Sequence, residues 1–345
     1  MNTPQAAVGD YQSLPVDAVG ITTTVPVEVI FAAGRYPVDL NNLFISAPDP
    51  AALTAEGEAS GFPQNCCAWV KGIYAARALY GISEVVGVTE GDCSDTGALL
   101  DVWRSEGVKV HEFGFPRSRE PEELRQRLRR LAGEFGVDLS AAEEMKQRLD
   151  EIRALAQQAD MLMAGGAEIS SQELFAALMW CTDFLAAPER CRRKLSALLA
   201  DIKRRPPAAP RLRLACAGVP PVFSDLWETV EALGGRIVLH EIPRQFALVD
   251  GIGQNLVSAY LGYAYPYTWE ARLSNLLAAA QARQVAGIIH YAQTFCYRHI
   301  HDRLLRARAG VPVLTLEADL PVKVDARTRT RLEAFLEQWH DRRQS

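Results

Sequence analysis

The chain is predicted to be an α/β protein: two doubly wound parallel-sheet domains with a helical segment between them. Three observations carry this. Short apolar runs alternate with helix-forming stretches near both ends of the chain, the pattern of βαβ units feeding a parallel sheet. Two distant stretches also repeat one another. Val85-Val86-Gly87-Val88-Thr89-Glu90-Gly91-Asp92-Cys93 and Ile288-Ile289-His290-Tyr291-Ala292-Gln293-Thr294-Phe295-Cys296 each run from an apolar strand through a polar turn to a cysteine. An amphipathic helix follows each, then a glycine 14 residues after the cysteine (Gly107, Gly310), then a new apolar strand over 108–113 or 311–316. Third, residues 121–205 lose their β-branched runs and fill with Leu, Ala, Glu, Arg and Gln, which favour helix. The expected domains are residues 1–120, 121–205 and 206–345.

Taken in order, residues 18–24 suit a strand, and Pro26 suits the first turn of a helix over 27–33 that stops at Gly34. Residues 51–60, small and polar, read as loop or short helix. Residues 67–80 read as a helix ending at Gly81, with Asn65 as a candidate cap. The first repeat closes near Pro116. Gly165-Gly166 and Ala186-Ala187-Pro188 break the helical segment, and Arg204-Arg205-Pro206-Pro207-Ala208-Ala209-Pro210 is a linker. A strand over 211–217, a helix over 223–233, a turn at Gly234-Gly235 and a strand over 236–241 follow. A helix over 269–283 leads into the second repeat. The last helix starts near Asp325, with Leu332 and Phe335 inward and Arg329, Arg331 and Arg342 outward. The right-handed crossover rule puts both repeated turns at the carboxyl edges of their sheets, where such sheets bind ligands.

Composition narrows the function classes. A length of 345 residues favours about two domains. A net charge of −5 argues against nucleic-acid binding, which calls for a basic face. No run of 18 apolar residues predicts a membrane span, and the first residues lack the basic start and apolar core of a signal peptide. A cytoplasmic protein is expected. Seven cysteines, an odd number, do not make a secreted disulfide framework; metal binding or catalysis fits better.

There is no C-x-x-C pair, so zinc-ribbon and ferredoxin spacings are absent. There is no P-loop motif, and Gly251-Ile252-Gly253 does not follow a strand and open a helix as a dinucleotide fingerprint requires. Cys93 and Cys296 stand at helix starts, where the positive helix end favours thiolate. Cys66-Cys67 also opens a helix, and spacing alone does not choose between the two. Three thiolates on three helix starts suit three irons of a cubane cluster and leave the fourth iron open. Cys181, Cys191 and Cys216 sit inside a helical segment or a strand and read as packing residues.

Several stretches resemble the 2-hydroxyacyl-CoA dehydratase/benzoyl-CoA reductase family. They are Pro26-x-Glu28 with Ala32-Ala33-Gly34-x-x-Pro37, Cys67-Ala68-Trp69-Val70-Lys71, Asp92-Cys93, the strand ending at Cys296, residues 311–319 (VPVLTLEAD) and Arg329-Thr330-Arg331-Leu332-Glu333-Ala334-Phe335. The resemblance runs from about residue 18 to 337. It implies flavodoxin-like sheets and a [4Fe–4S] cluster held by three cysteines, by position Cys67, Cys93 and Cys296. It also implies a homodimer or a heterodimer with a related subunit, and an ATP-dependent activator protein carrying its own iron–sulfur cluster. In the dehydratases, one electron from that activator makes a ketyl radical of the acyl-CoA thioester, so that an unactivated β-proton can leave and water be eliminated. The chain is shorter than many members. Tyr260-Leu261-Gly262-Tyr263-Ala264-Tyr265-Pro266 holds no cysteine, which argues for a single cubane.

Near the expected cluster stand Glu90, Asp92, His290, Gln293, Thr294, Arg298 and His299. Glu28, Glu90 and His290 are the candidate catalytic groups. Glu28 is either a cap or a functional acid, and His290 lies in an apolar strand where a core histidine is the plainer reading. The expected function is one-electron dehydration or reduction of an acyl-CoA. An electron-transfer or scaffold subunit whose cluster binds no substrate is the alternative.

Overall fold

The computed structural model describes Tyr11 and residues 14–344, with side chains as far as residue 338. The opening residues read for a signal peptide and the side chain of Arg342 lie outside the described residues.

In the first half, β1 (Ala18–Ile21), β2 (Tyr36–Asp39), β3 (Glu84–Glu90) and β4 (Lys109–Gly114) make a parallel sheet in the order β2-β1-β3-β4. In the second, β5 (Leu212–Gly218), β6 (Gly235–His240), β7 (Gly287–Gln293) and β8 (Val313–Ala318) repeat it as β6-β5-β7-β8. The repeated stretches are therefore equivalent strands, β3 and β7. Both orders are flavodoxin-like, and each reverses direction beside its first strand, which opens a crevice between β1 and β3 and another between β5 and β7. β7 is buried along its whole length, as expected of a strand covered on both faces.

Helices flank both sheets. In the first half these are α1 (Val27–Ala32), α2 (Leu40–Ile45), α3 (Pro50–Ala59), α4 (Ala68–Leu79) and α5 (Ser94–Ser105). Then come α6 (Pro121–Glu134), α7 (Leu139–Ala164), α8 (Ser171–Met179) and α9 (Pro188–Ile202), broken where the Gly and Pro signals fall. The second half adds α10 (Leu226–Ala232), α11 (Glu241–Phe246), α12 (Leu256–Gly262), α13 (Trp269–Ala282), α14 (Asp302–Arg308) and α15 (Ala326–Gln344). On α15, Leu332 and Phe335 are buried while Arg329 and Arg331 are exposed.

Residues 50–59 form a helix, one of the two readings expected there, started by Pro50 and capped by the Asp49 carboxylate. Two local expectations are corrected. Asn65 does not cap α4: the chain turns from Pro63 to Cys66, leaving Asn65 exposed and Cys67 itself at the cap position. The helix after Cys296 begins as a 3₁₀ turn, Tyr297–His301, before α14, so the second repeat is looser than the first.

One apolar core joins the halves. It runs from Val19 and Ile21 of β1 and Val86 and Val88 of β3, through Leu149 and Ile152 of α7, to Val238 and Leu239 of β6. The helical segment thus packs against both sheets, and each fully buried Leu or Ile in it contributes about 1.5–3 kcal/mol. This shared core fixes how the two crevices face one another.

Candidate functional site

Cys67, Cys93 and Cys296 each occupy the residue before a helix: α4, α5 and the 3₁₀ turn leading to α14. All three line one cleft of about 1020 Å³, its open mouth included. The segment after β1 adds Thr22 and Thr23 to the wall, and the segment after β5 adds Val219, Pro220 and Pro221. Both switch-point crevices therefore open into the same space. Two glycines permit the close approach. Gly218 ends β5 at φ 98°, where a Cβ would meet the Tyr291 carbonyl oxygen at 2.0 Å; Gly91 holds φ 94°, where a Cβ would lie 2.4 Å from the Pro266 carbonyl oxygen.

The thiols do not behave as helix ends alone would dictate. Burial pushes Cys67 up to about 12, and the neighbouring Cys93 and Cys296 add to the rise although the Trp69 and Val70 amides oppose it. Burial also pushes Cys93 to about 12, reinforced by Asp92 and Asp95, and raises Cys296. Desolvation outweighs the helix-terminus effect, so these are neutral thiols until a cation joins them. Among the described residues, no three His, Cys, Asp or Glu side chains are grouped to hold a single metal ion. The thiols surround the cleft rather than one ion's position.

Asp92, in the loop after β3, is bonded to three other segments: those after β1, before α13 and after β7. Its carboxylate accepts from Thr24 (2.7 Å) and Tyr265 (3.0 Å), and its carbonyl oxygen accepts from Tyr297 (2.9 Å) and Arg298 (3.1 Å). The Arg298 guanidinium also donates to the Gly91 carbonyl oxygen and lies 4.6 Å from the centre of the Tyr265 ring. Burial raises the Asp92 carboxyl above its usual range, against the pull of Arg298.

The three carboxylate and imidazole candidates stand off the cleft wall. Glu28 is wholly buried, paired with Arg153 (2.7 Å) and the Tyr260 hydroxyl (2.8 Å). Glu90 is exposed and pairs with Arg127 at 2.5 Å. His290 is buried against Asp302 (Nδ1 to Oδ1, 2.8 Å), and desolvation lowers its basicity. It borders a minor recess shared with Cys296 and Arg298. Cys66 does not line the cleft, whereas Cys67 does. Cys181, Cys191 and Cys216 are buried elsewhere, and Lys71 is buried in an ion pair with Glu58 at 2.6 Å. Sequence reasoning passed over Thr22, Thr23, Asn41, Asn42 and Tyr265 as lining residues. The only available signal was the position of the threonines after an apolar strand.

Paired flavodoxin-like sheets that open both switch points onto one three-thiol cleft define a class of two-sheet α/β protein with a shared cleft. The chain belongs to the 2-hydroxyglutaryl-CoA dehydratase, D-component family, whose profile matches residues 22–339. It is thus a component of the 2-hydroxyacyl-CoA dehydratase type, a family of enzymes acting on acyl-CoA. No curated protein matches it. No helix among the described residues is long and apolar enough to cross a membrane.

Proposed function

We propose that this chain is the iron–sulfur subunit of a 2-hydroxyacyl-CoA dehydratase, with Cys67, Cys93 and Cys296 as ligands of a [4Fe–4S] cluster. The observation that carries the reading is the meeting of these three thiols in one cleft, with 203 residues between the last two in sequence. The donor set fits the group: thiols are the usual ligands of such clusters, and the starts of α4 and α5, beside Cys67 and Cys93, would offset part of the charge of a thiolate-bound cluster. Their raised pKa values mean that cluster binding displaces protons.

Three protein thiolates would leave one iron of such a cluster without a protein ligand; Cys66 is not among the residues that line the cleft. When bound, such a cluster would supply a low-potential electron and Lewis acidity. The chain's own residues do the rest. Thr22, Thr23 and Asn41 put neutral polar groups on the cleft wall, Thr23 and Asn41 bonded to one another and to Asp39, and among the described residues lining the cleft Arg298 is the one cation. Asp92 holds Arg298 and Tyr265 in place. An activator protein with its own iron–sulfur cluster would deliver the electron in an ATP-dependent step. The working unit would be a homodimer or a heterodimer with a related subunit.

Anaerobic purification tests this directly. The expected sample is brown, with about four irons and four sulfides per chain by the cluster's stoichiometry. Adding a 2-hydroxyacyl-CoA should shift the paramagnetic spectrum of the reduced cluster. A colourless, iron-free protein after reconstitution rejects the cluster. An iron-loaded protein blind to thioesters is instead an electron-transfer or supporting subunit.

A further inference from the structure

We infer that Asp39 and Asp183 share a single proton behind the cleft wall, and that Thr23 presents it to a hydroxyl oxygen bound in the cleft. The shared proton stands on the geometry alone; what it serves rests on the acyl-CoA reading above.

Asp39 ends β2 and caps α2, and Asp183 precedes the turn over Phe184–Ala186. Both side chains are wholly buried. Asp183 Oδ2 accepts from the Asp39 backbone amide at 2.7 Å and from the Tyr11 hydroxyl, and Oδ1 accepts from the Leu185 amide at 2.8 Å. Asp39 Oδ1 accepts from the Thr23 hydroxyl and the Asn41 side-chain amide, both at 3.1 Å. Asp39 Oδ2 has no hydrogen-bond partner among the described residues.

The surroundings supply no counter-charge. Among the described residues neither carboxyl is bonded to a Lys, Arg or His. Tyr11, Tyr263 and the Cys191 thiol face the pair, and all three are held in their neutral forms. The Arg153 guanidinium lies 5.2 Å from the centre of the Phe184 ring but is committed to Glu28 and Asp150. Two buried carboxyls this close, without a cation, do not both ionise. Burial raises both accordingly, and the neighbouring Asp39 adds to the rise at Asp183, which reaches about 7. The backbone on either side is costly: Thr23, β-branched, holds φ 67°, and Phe184, Leu185 and Ala186 hold φ 54°, 57° and 51° in succession.

Thr23, Asn41 and Asn42 carry the pair to the cleft, since all three line it. Thr23 Oγ1 also accepts from Asn41 Nδ2 at 2.6 Å, which fixes the hydroxyl between Asp39 and the cleft. Asn42 is wholly buried, and its Oδ1 has no partner among the described residues, which leaves an acceptor for a ligand's hydroxyl hydrogen. In the transfer the Asp39 O–H bond breaks, a new O–H forms at Thr23, and the Thr23 hydrogen passes to the bound hydroxyl, which can then leave as water. A proton returns from solvent through the half-buried Tyr11 hydroxyl on Asp183.

The test reads the carboxyl C=O stretch, which a carboxylate lacks, by infrared spectroscopy on anaerobically purified, cluster-loaded protein. In wild type one such band should vanish as pH rises through about 7. Asp183→Asn should lack it. Asp39→Asn, which removes the like-charged neighbour, should lose it about one pH unit lower. 2-Hydroxybutanoyl-CoA is then added without activator or ATP, so that no reaction runs. It should raise the wild-type midpoint by about one pH unit, a tenfold gain in proton affinity, and butanoyl-CoA, lacking the hydroxyl, by less than half of that. Thr23→Val, or Thr23→Ala if the first does not fold, should keep the band and the thioester affinity but lose the shift, and Thr23→Ser should restore it. A band that survives Asp183→Asn, or that Asp39→Asn leaves unmoved, overturns the shared proton. A midpoint unmoved by the bound hydroxy thioester, or moved equally without the Thr23 hydroxyl, overturns the delivery and leaves the acyl-CoA reading intact. Binding of neither thioester at millimolar concentration overturns that reading, and the role of Thr23 with it.

Discussion

The Tyr265 hydroxyl donates to Asp92 Oδ1 at 3.0 Å across 173 residues of sequence, while Thr24 donates to the other carboxylate oxygen at 2.7 Å. One side chain, next to Cys93, therefore links the loops after β1 and β3 to the approach to α13. The same residue's carbonyl oxygen receives Tyr297 and Arg298 from the loop after β7. Asp92 thereby joins its own loop after β3 to the segments after β1, after β7 and before α13.

Asp92→Ala should accordingly loosen the site before it unfolds the protein. Leaving the Tyr265 and Thr24 hydroxyls without their acceptor costs about 1–3 kcal/mol. The denaturation midpoint is expected to fall by the corresponding amount, and iron retained per chain to fall with it. Tyr265→Phe removes one donor and no acceptor, so its effect should be smaller, about 1 kcal/mol. Iron content unchanged in Asp92→Ala, with stability lowered, would show that Asp92 serves the fold and not the spacing of the thiols.

The cysteines divide by location. Cys67→Ser, Cys93→Ser and Cys296→Ser should each abolish iron incorporation with little loss of stability, since most of the core lies elsewhere. Cys181→Ala, Cys191→Ala and Cys216→Ala empty buried sites and should cost about 1 kcal/mol each while leaving iron unchanged. Cys66→Ala should leave both unchanged. Iron analysis on all seven variants checks the set, and collapse to a three-iron spectrum in Cys66→Ala would make Cys66 the fourth ligand.

The two sheets were legible because parallel strands buried on both faces leave apolar runs, and the second copy repeats the spacing of the first. The choice between Cys66 and Cys67 was not legible. Both precede the same helix, and only the turn from Pro63 to Cys66 decides which side chain faces the cleft. Glu28 and His290 drew attention as polar groups in apolar stretches. Their partners, Arg153 and Asp302, lie 125 and 12 residues away. Pairing at such separation leaves no local trace.

His240 gives a pH dependence with a definite sign. It is buried between Phe175 and Trp227, with Nε2 2.9 Å from the Ser171 carbonyl oxygen, and burial lowers its pKa from 6.5 to about 3. In the unfolded chain the imidazole takes up a proton below pH 6.5, while the folded protein holds it neutral down to about pH 3. Between those values the unfolded state binds more protons, so stability falls as pH falls, by up to about 1.4 kcal/mol per pH unit. His240's contribution is complete above pH 6.5 and lost toward pH 3. Asp183, raised by burial to about 7, has the opposite slope, because its folded form keeps a proton that the unfolded form releases near 3.8. The check is the difference between wild type and His240→Phe in urea midpoint from pH 7 to pH 4. That difference should change along the His240 slope, and a pH-independent difference would remove His240 from the account.

The buried pair of Glu28 and Arg153 decides whether Glu28 belongs to the fold or to the chemistry. Arg153 donates from Nη2 to Glu28 and from Nη1 to Asp150 (3.1 Å), and the Tyr260 hydroxyl completes the shell around Glu28. Both partners are almost wholly buried, at 0 % and 2 % exposed. Arg153→Met strands the carboxylate without a counter-charge and should destabilise by about 3–5 kcal/mol. Glu28→Gln keeps the shape and replaces a charge-assisted bond with a neutral one, for which about 1.5–3 kcal/mol is expected. If Glu28 is a positioning residue of the α1–α7 contact, Glu28→Gln will keep full iron content and unchanged thioester affinity at temperatures where it stays folded. A folded, iron-loaded Glu28→Gln that binds thioester normally and turns over at least a hundredfold more slowly would place the carboxylate in the reaction instead. The geometry favours the first outcome, because the side chain faces α7 and Tyr260 and contributes nothing to the wall that Cys67, Cys93 and Cys296 share.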